Sequence, residues 1–422
     1  MTLKSFLHLR FLIKHFDYFT FMGFSLNLVF VFALILVGIS LLSVVFPALI
    51  LHEFGHISTD RYDPFEIGNN AILLIVSSII ILSLGFLYKK NKLPSFSSSI
   101  NKLRNFEITK KQSLIAGIII LVVYSAITAP ELAIDETTQF PDVYTLLVAL
   151  ESFPITDSGD TVIDEQNSRF VRMILLGFSQ DYLDNIKVIP FISSVILAVV
   201  TGIITVQMSH RRIAGLIAMI ILLQGYTFLE YDTIAVYENL WVTFFLLSIY
   251  SINKRWYLSG ILYLLSVFSK AFATPFLILN FYYLMRSDNN RSTKIRTSIS
   301  YGVIILIMLG LFSIGNTIYD DIIYVDFNRF MNGLSDFSSQ MRFDSFLLIM
   351  ILPTTIGLFF AARNGVKHAE SMLFFIPCLL LAGPLVALVT DYFVILPYRF
   401  IPLIVFFSIS VGLVIFRNTK SS

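Results

Sequence analysis

Long apolar runs separated by short polar turns recur from residue 22 to residue 416, and this spacing decides what the chain can fold into. Inside a bilayer no water reaches a bare peptide group, so a spanning segment must satisfy its N–H and C=O groups as helix or closed barrel. The runs exceed the length of barrel strands and match about twelve helical spans. Approximate boundaries are 22–50, 72–88, 113–130, 189–207, 212–228, 234–250, 256–268, 271–285, 299–316, 345–361, 371–389 and 396–416. Segments 256–268 and 271–285 are short for a hydrocarbon core of about 30 Å, which suits tilted, broken or re-entrant helices. Only 14% of residues are charged and 56% are hydrophobic, against about 25% charged in soluble domains. The expectation is an all-α polytopic membrane protein.

The charges give this bundle a direction. Lys89, Lys90, Lys92, Lys102, Arg104, Lys110 and Lys111 crowd one turn. Arg211 and Arg212, Lys254 and Arg255, Arg286 through Arg296, and Arg417 with Lys420 fall on the same side if every span holds. Basic turns mark the cytoplasmic face, so both termini are expected inside and the protein in the cell membrane. The opposite side then holds loops 52–71, 131–188 and 317–344, with most of the acids. The first span, preceded by Lys4, Arg10 and Lys14, exceeds a signal-peptide core and lacks an A-x-A site, which reads as a retained helix. The formal net charge is only +2 and no broad basic patch exists, so nucleic acid is not an expected partner. A single cysteine, Cys378, excludes an intrachain disulfide and any cysteine metal cluster.

Three groups of residues carry candidate chemistry. Asp135–Glu136 stands just past the third span, where paired carboxylates can activate a hydroxyl or bind Mg²⁺ or Mn²⁺. Neighbours in sequence do not share a helix face, so joint action needs a turn or a shared ion. An ordinary acidic loop edge is the bland alternative. Further along loop 131–188, Asp164–Glu165 precedes Arg169, and two apolar stretches fit short amphipathic helices. Glu230 and Asp232 return to the same side and are expected to line a cavity. Lys270, in "VFSKAFATP", and Arg399, in "LPYRFIPLIVF", are also placed there. A guanidinium can grip a phosphate through paired donors and an ammonium can neutralise it. Snorkelling of Lys270 and a structural ion pair at Arg399 compete with those roles.

The order of these elements resembles the GT-C superfamily of membrane glycosyltransferases, most closely the protein-mannosyltransferase and aminoarabinose-transferase branch. The resemblance runs from about residue 113 to 416. It is carried by Asp135–Glu136, the amphipathic "SRFVRMILLGFSQ", the segment "LQGYTFLEYDTIAVYENLW" and the late "LPYRFIPLIVF". It implies a GT-C-like bundle with about 12 transmembrane helices, and transfer of a hexose or pentose from a polyprenyl-phosphate donor to a lipid, glycan or protein acceptor. It further implies Asp135 as the catalytic carboxylate, Glu136 assisting acceptor or metal binding, and Lys270 and Arg399 on the donor phosphate. Residues 1–111 form an extension with two added spans, 112–416 the GT-C-like domain, and 417–422 a tail. No large C-terminal soluble domain of the kind present in some members is expected, and no WWD motif occurs in the sequence.

A competing motif lies earlier. His52-Glu53-Phe54-Gly55-His56 is an HExxH string. On a helix its histidines share a face and can bind zinc, with Glu53 as the base of an intramembrane metalloprotease. The downstream N-x-x-P…D-G ligand segment of that family is missing. A transport or structural membrane protein is the third reading, although no inverted halves are visible.

Overall fold

The computed structural model describes residues 18–49, 63, 65–90, 92, 94, 98, 102, 106–135, 137, 140–154, 169–236, 239–314, 325–389 and 396–416. Sixteen α-helices are assigned among them. They are α1 Tyr18–Val45, α2 Ala71–Lys89, α3 Lys110–Thr128, α4 Pro141–Ser152, α5 Phe170–Leu183, α6 Val188–Ser209, α7 Arg212–Leu223 and α8 Tyr226–Tyr231. There follow α9 Asn239–Lys254, α10 Trp256–Ser269, α11 Leu277–Arg286, α12 Arg291–Ile314, α13 Phe327–Ser339, α14 Ser345–Arg363, α15 Lys367–Val389 and α16 Ile401–Ile415. Short 3₁₀ turns occupy Ala129–Ala133, Ala271–Phe276, Gln340–Phe343 and Pro397–Phe400.

Every expected apolar run carries helix, and seven of the described helical stretches are long and apolar enough to cross a bilayer. The chain is therefore all-α, with the several long apolar helices of a multi-pass membrane bundle. Helices α7 and α10 are apolar but shorter. The two amphipathic stretches of loop 131–188 form α4 and α5.

Local chemistry explains several helix ends. Thr109 starts α3 with a reciprocal cap: its Oγ1 accepts from Gln112 N at 3.3 Å, and its N–H donates to Gln112 Oε1 at 3.0 Å. Pro130 then turns the end of α3 into 3₁₀ geometry. The apolar run expected at 212–228 breaks after Leu223, where Gly225 caps α8. A Cβ at Gly225 would lie 3.2 Å from both Leu222 O and Asp344 Oδ1. This close approach lets Thr227 N donate to Asp344 Oδ1 at 3.3 Å.

The hub of the bundle is α16, almost wholly buried against α6, α7, α14 and α15. With lipid outside, close backbone packing has to supply much of what hydrophobic burial supplies in water. Gly412 makes it possible here: a Cβ there would lie 2.7 Å from Thr205 Cγ2 and 2.8 Å from Ala214 O. In contrast, α2 and α3 carry outward-facing Ile72, Ile79, Ile118 and Val122, each more than half exposed, as lipid-facing helices would.

The bundle has two chemically different ends. At one, Arg211 pairs with Glu107 at 3.4 Å and Arg286 with Glu370 at 2.5 Å. At the other, Asp135, α8, the 271–276 turn and the 397–400 turn gather. The candidate site lies at this second end.

Candidate functional site

Two helices are interrupted here by backbone that no helix ladder can satisfy. The chain leaves α8 at Tyr231 and re-enters helix at Asn239, and Asp232–Val236 between them are buried. Buried carbonyls need donors, and side chains from three helices provide them. Ser194 Oγ donates to Asp232 O at 2.7 Å. Asn239 Nδ2 donates to Tyr231 O and to Asp232 O, each at 2.8 Å. Arg172, itself 1% exposed on α5, donates from Nη1 to Val236 O at 3.1 Å. Non-helical backbone inside a membrane bundle is tolerated only where protein or a cavity satisfies it, and such breaks mark binding regions.

Asp232 sits at the base of this break with no solvent exposure. Tyr124 OH donates to its Oδ2 at 2.6 Å and Thr128 Oγ1 at 3.2 Å. Its Oδ1 has no hydrogen-bond partner among the described residues. Burial pushes the carboxyl up from its ordinary 3.8 to about 7, because desolvation penalises the charged form. Glu230, two residues earlier, is exposed.

Asp135 stands at the aqueous edge. It follows the 129–133 turn, exposed, and its Oδ1 accepts from Thr137 N at 3.0 Å and Thr137 Oγ1 at 2.8 Å. The backbone bond first, then the hydroxyl, holds its carboxyl below the usual carboxylate range. The turn beneath it is clamped from the α5–α6 connection. Asn185 Nδ2 donates to Leu132 O at 2.8 Å, and Lys187 Nζ donates to Glu131 O and to Ile134 O. Lys187 thus lies within electrostatic reach of both Asp135 and Asp232.

Lys270 and Arg399 come together around one aromatic ring. Lys270 follows α10 at the start of the 271–276 turn, and Arg399 lies in the 397–400 turn. They are 7% and 3% exposed, so neither reaches solvent by snorkelling. Lys270 Nζ stands 4.7 Å from the centre of the Tyr398 ring, and Arg399 Cζ stands 5.9 Å from the same centre. The guanidinium also lies 5.5 Å from the Phe272 ring, which packs edge-on against Trp241 at 6.0 Å. Tyr398 meets Tyr231 edge to face at 5.7 Å, and Tyr231 meets Phe140 at 6.4 Å. One aromatic contact therefore joins the cationic pair to the end of α8, which carries Glu230, and to the break that begins at Asp232.

Arg169 is half-buried at the residue preceding α5. Glu136, Asp164, Glu165, His52, Glu53 and His56 lie outside the described residues. Sequence reasoning passed over Tyr124, Lys187, Asn239 and Tyr398. Asn239 at the start of an apolar run was a readable signal, whereas Tyr398 is one aromatic among many.

Among the described residues, no group of three or more His, Cys, Asp or Glu side chains lies close enough to hold a metal ion. Asp135 already commits one oxygen to Thr137. Compared with known families, curated proteins and solved structures, the chain finds no match. The class that fold and composition define is a multi-pass α-helical membrane protein.

Proposed function

We propose that this protein is a membrane glycosyltransferase that takes a sugar from a polyprenyl-phosphate donor on the non-cytoplasmic side, in a GT-C-like bundle completed to about twelve crossings by the shorter helices. The observation that carries the reading is the pair of buried cations, Lys270 and Arg399, on the single ring of Tyr398. Two cations converging at the end of an apolar bundle concentrate positive potential where a lipid phosphate would sit. A long prenyl tail fits the exposed apolar flanks of the bundle, and its phosphate would stay at headgroup depth.

The residues divide the work by position. Arg399 presents a planar fork of donors to phosphate oxygens, and Lys270 adds a point charge beside it. Asp135 is anionic at neutral pH, and its Oδ2 has no hydrogen-bond partner among the described residues. It accepts the proton of an acceptor hydroxyl as that oxygen attacks the anomeric carbon. The bond from that carbon to the phosphate oxygen breaks, and the electron pair leaves with the phosphate. Charge growing on the departing oxygen is stabilised by Lys270 and Arg399. The proton on Asp135 then passes to water. Glu136 assists at the acceptor, Asp232 lines the break with Glu230 just before it on α8, Arg169 borders the approach, and Asp164 and Glu165 are secondary candidates. The sugar and the acceptor class follow from the donor pool that is turned over.

The test is transfer by purified protein in lipid, supplied with a mixed pool of polyprenyl-phosphate sugars. Asp135→Ala is expected to lower transfer by about 100-fold or more, and His52→Ala to leave it unchanged. Loss of transfer in the His52 variant with retention in the Asp135 variant overturns Asp135 as the catalytic carboxylate. Absence of turnover with every donor, in folded protein, overturns the transferase reading.

A further inference from the structure

A second polar feature adjoins the Tyr398 cluster through the 340–343 turn, which packs against the 397–400 turn. Where α1 ends and α2 begins, the chain lines an open cavity of about 580 Å³, within the size range of small-ligand sites. Val44, Pro47 and Phe343 form part of its apolar wall, while Glu66, Asn69 and Arg342 line it as polar groups. Its walls are built by tertiary contacts. Gly68 N donates to Val45 O at 2.9 Å, and a Cβ at Gly68 would lie only 2.4 Å from Val44 O, so this wall is closed tightly. Asn70 Nδ2 donates to Arg342 O at 3.1 Å, which ties the start of α2 to the 340–343 turn.

Glu66 and Arg342 are both solvent-exposed where they line the cavity, they do not pair with each other, and neither forms an ion pair with another described residue, so both charges are open to a ligand that enters from solvent or lipid. The Arg342 guanidinium is steadied 4.9 Å from the ring of Phe343. An anion alone would meet repulsion from Glu66, and a cation alone would meet it from Arg342. A zwitterion satisfies both. The cavity also opens at the end of an apolar helix, where α2 departs with Ile72, Ile75, Val76 and Ile79 exposed along its flank. That flank offers a track for acyl chains.

We propose that this cavity binds a zwitterionic phospholipid bearing a primary ammonium, with its phosphate on Arg342 and its ammonium on Glu66. A primary ammonium brings N–H donors that a carboxylate can accept. A quaternary ammonium lacks them and is held instead by an aromatic cage, for which Phe343 alone does not suffice. The bound lipid would touch Phe343, which stacks on Tyr226 of α8 at 6.4 Å. Occupancy would thus brace the helix that leads to Tyr231 and Asp232.

This assignment stands apart from the transferase reading and is tested without any sugar donor. Full-length protein is delipidated in mild detergent and titrated with phosphatidylethanolamine, phosphatidylcholine and phosphatidylglycerol of matched chains, with retention read by native mass spectrometry. The wild type is expected to retain phosphatidylethanolamine about tenfold better than phosphatidylglycerol, the value of one charge-assisted hydrogen bond. Glu66→Gln is expected to abolish that preference, and Arg342→Gln to weaken all three lipids, with melting temperatures unchanged. Equal retention of the three lipids by the wild type, or the same preference in Glu66→Gln, overturns the proposal. Soluble glycerophosphoethanolamine is the remaining arm. Failure to displace the lipid supports a bilayer ligand, and displacement at equal concentration overturns the lipid assignment in favour of a soluble zwitterion.

Discussion

Arg399→Gln is expected to lower sugar transfer by about 100-fold or more, with the loss concentrated in kcat. The arginine stabilises charge that grows on the departing phosphate, and removal of one such stabiliser costs about 100- to 1,000-fold in comparable sites. Lys270→Gln is expected to act in the same direction with a smaller effect, because an ammonium lacks the paired donors of a guanidinium. Both cations border the Tyr398 ring and serve one phosphate, so the double variant should lose less than the product of the single losses. Arg399→Lys should recover part of the activity by restoring charge without the fork. A purely structural arginine would give another pattern: lower thermal stability, unchanged kcat in the surviving folded fraction, and no rescue that tracks charge. Steady-state kinetics on folded protein separates the two. Transfer within threefold of wild type in Arg399→Gln would place the phosphate elsewhere.

Asp232→Asn is expected to stabilise the protein above pH 7 and to change little near pH 4. In the folded chain the buried carboxyl keeps its proton up to about pH 7, whereas an exposed aspartate releases it near 3.8. Between those values the unfolded chain binds fewer protons than the folded one, so stability falls as pH rises. The decline is complete above pH 7 and corresponds to roughly 4 kcal/mol. An amide does not titrate in this window, and its oxygen can still accept from Tyr124 and Thr128, which hold Oδ2 in the wild type. The melting temperatures of the two proteins in detergent should diverge steadily between pH 4 and pH 7. Parallel curves would mean that Asp232 is ionised in the folded state and carries a compensating cation.

Much of the helical framework was legible because lipid imposes a simple rule on the sequence. Runs such as 189–207 and 345–361 are apolar for long enough to require helix, and α6 and α14 occupy them. The breaks were harder to read. Residues 212–250 look like two spans with a short turn, yet α7 stops at Leu223 and the chain passes through α8 and a buried non-helical stretch before α9. That stretch depends on Asn239, at the start of the helix that follows it, and on Ser194 and Arg172 from two helices distant in sequence, whose support no local pattern announces. Lys270 and Arg399 were legible as rare cations in apolar surroundings. Their meeting at Tyr398 was not, because it depends on how α10 and the turn before α16 pack. Asp135 shows the reverse case. Its bond to Thr137 is local, in the D-x-T spacing of a side-chain-capped turn, and is readable from sequence. The clamp of Lys187 on the preceding turn joins segments far apart in the chain and required the fold.

The central claim is that a lipid-linked phosphate sits between the 271–276 and 397–400 turns. It is tested most directly by a polyprenyl-phosphate sugar carrying a photoreactive group beside the phosphate, crosslinked to the wild-type protein in liposomes and mapped by peptide mass spectrometry. The expected adducts fall on the peptides that carry Phe272 and Tyr398, and excess unlabelled polyprenyl phosphate removes them. Adducts spread over the exposed faces of α2 and α3, unchanged by that competitor, would contradict the account.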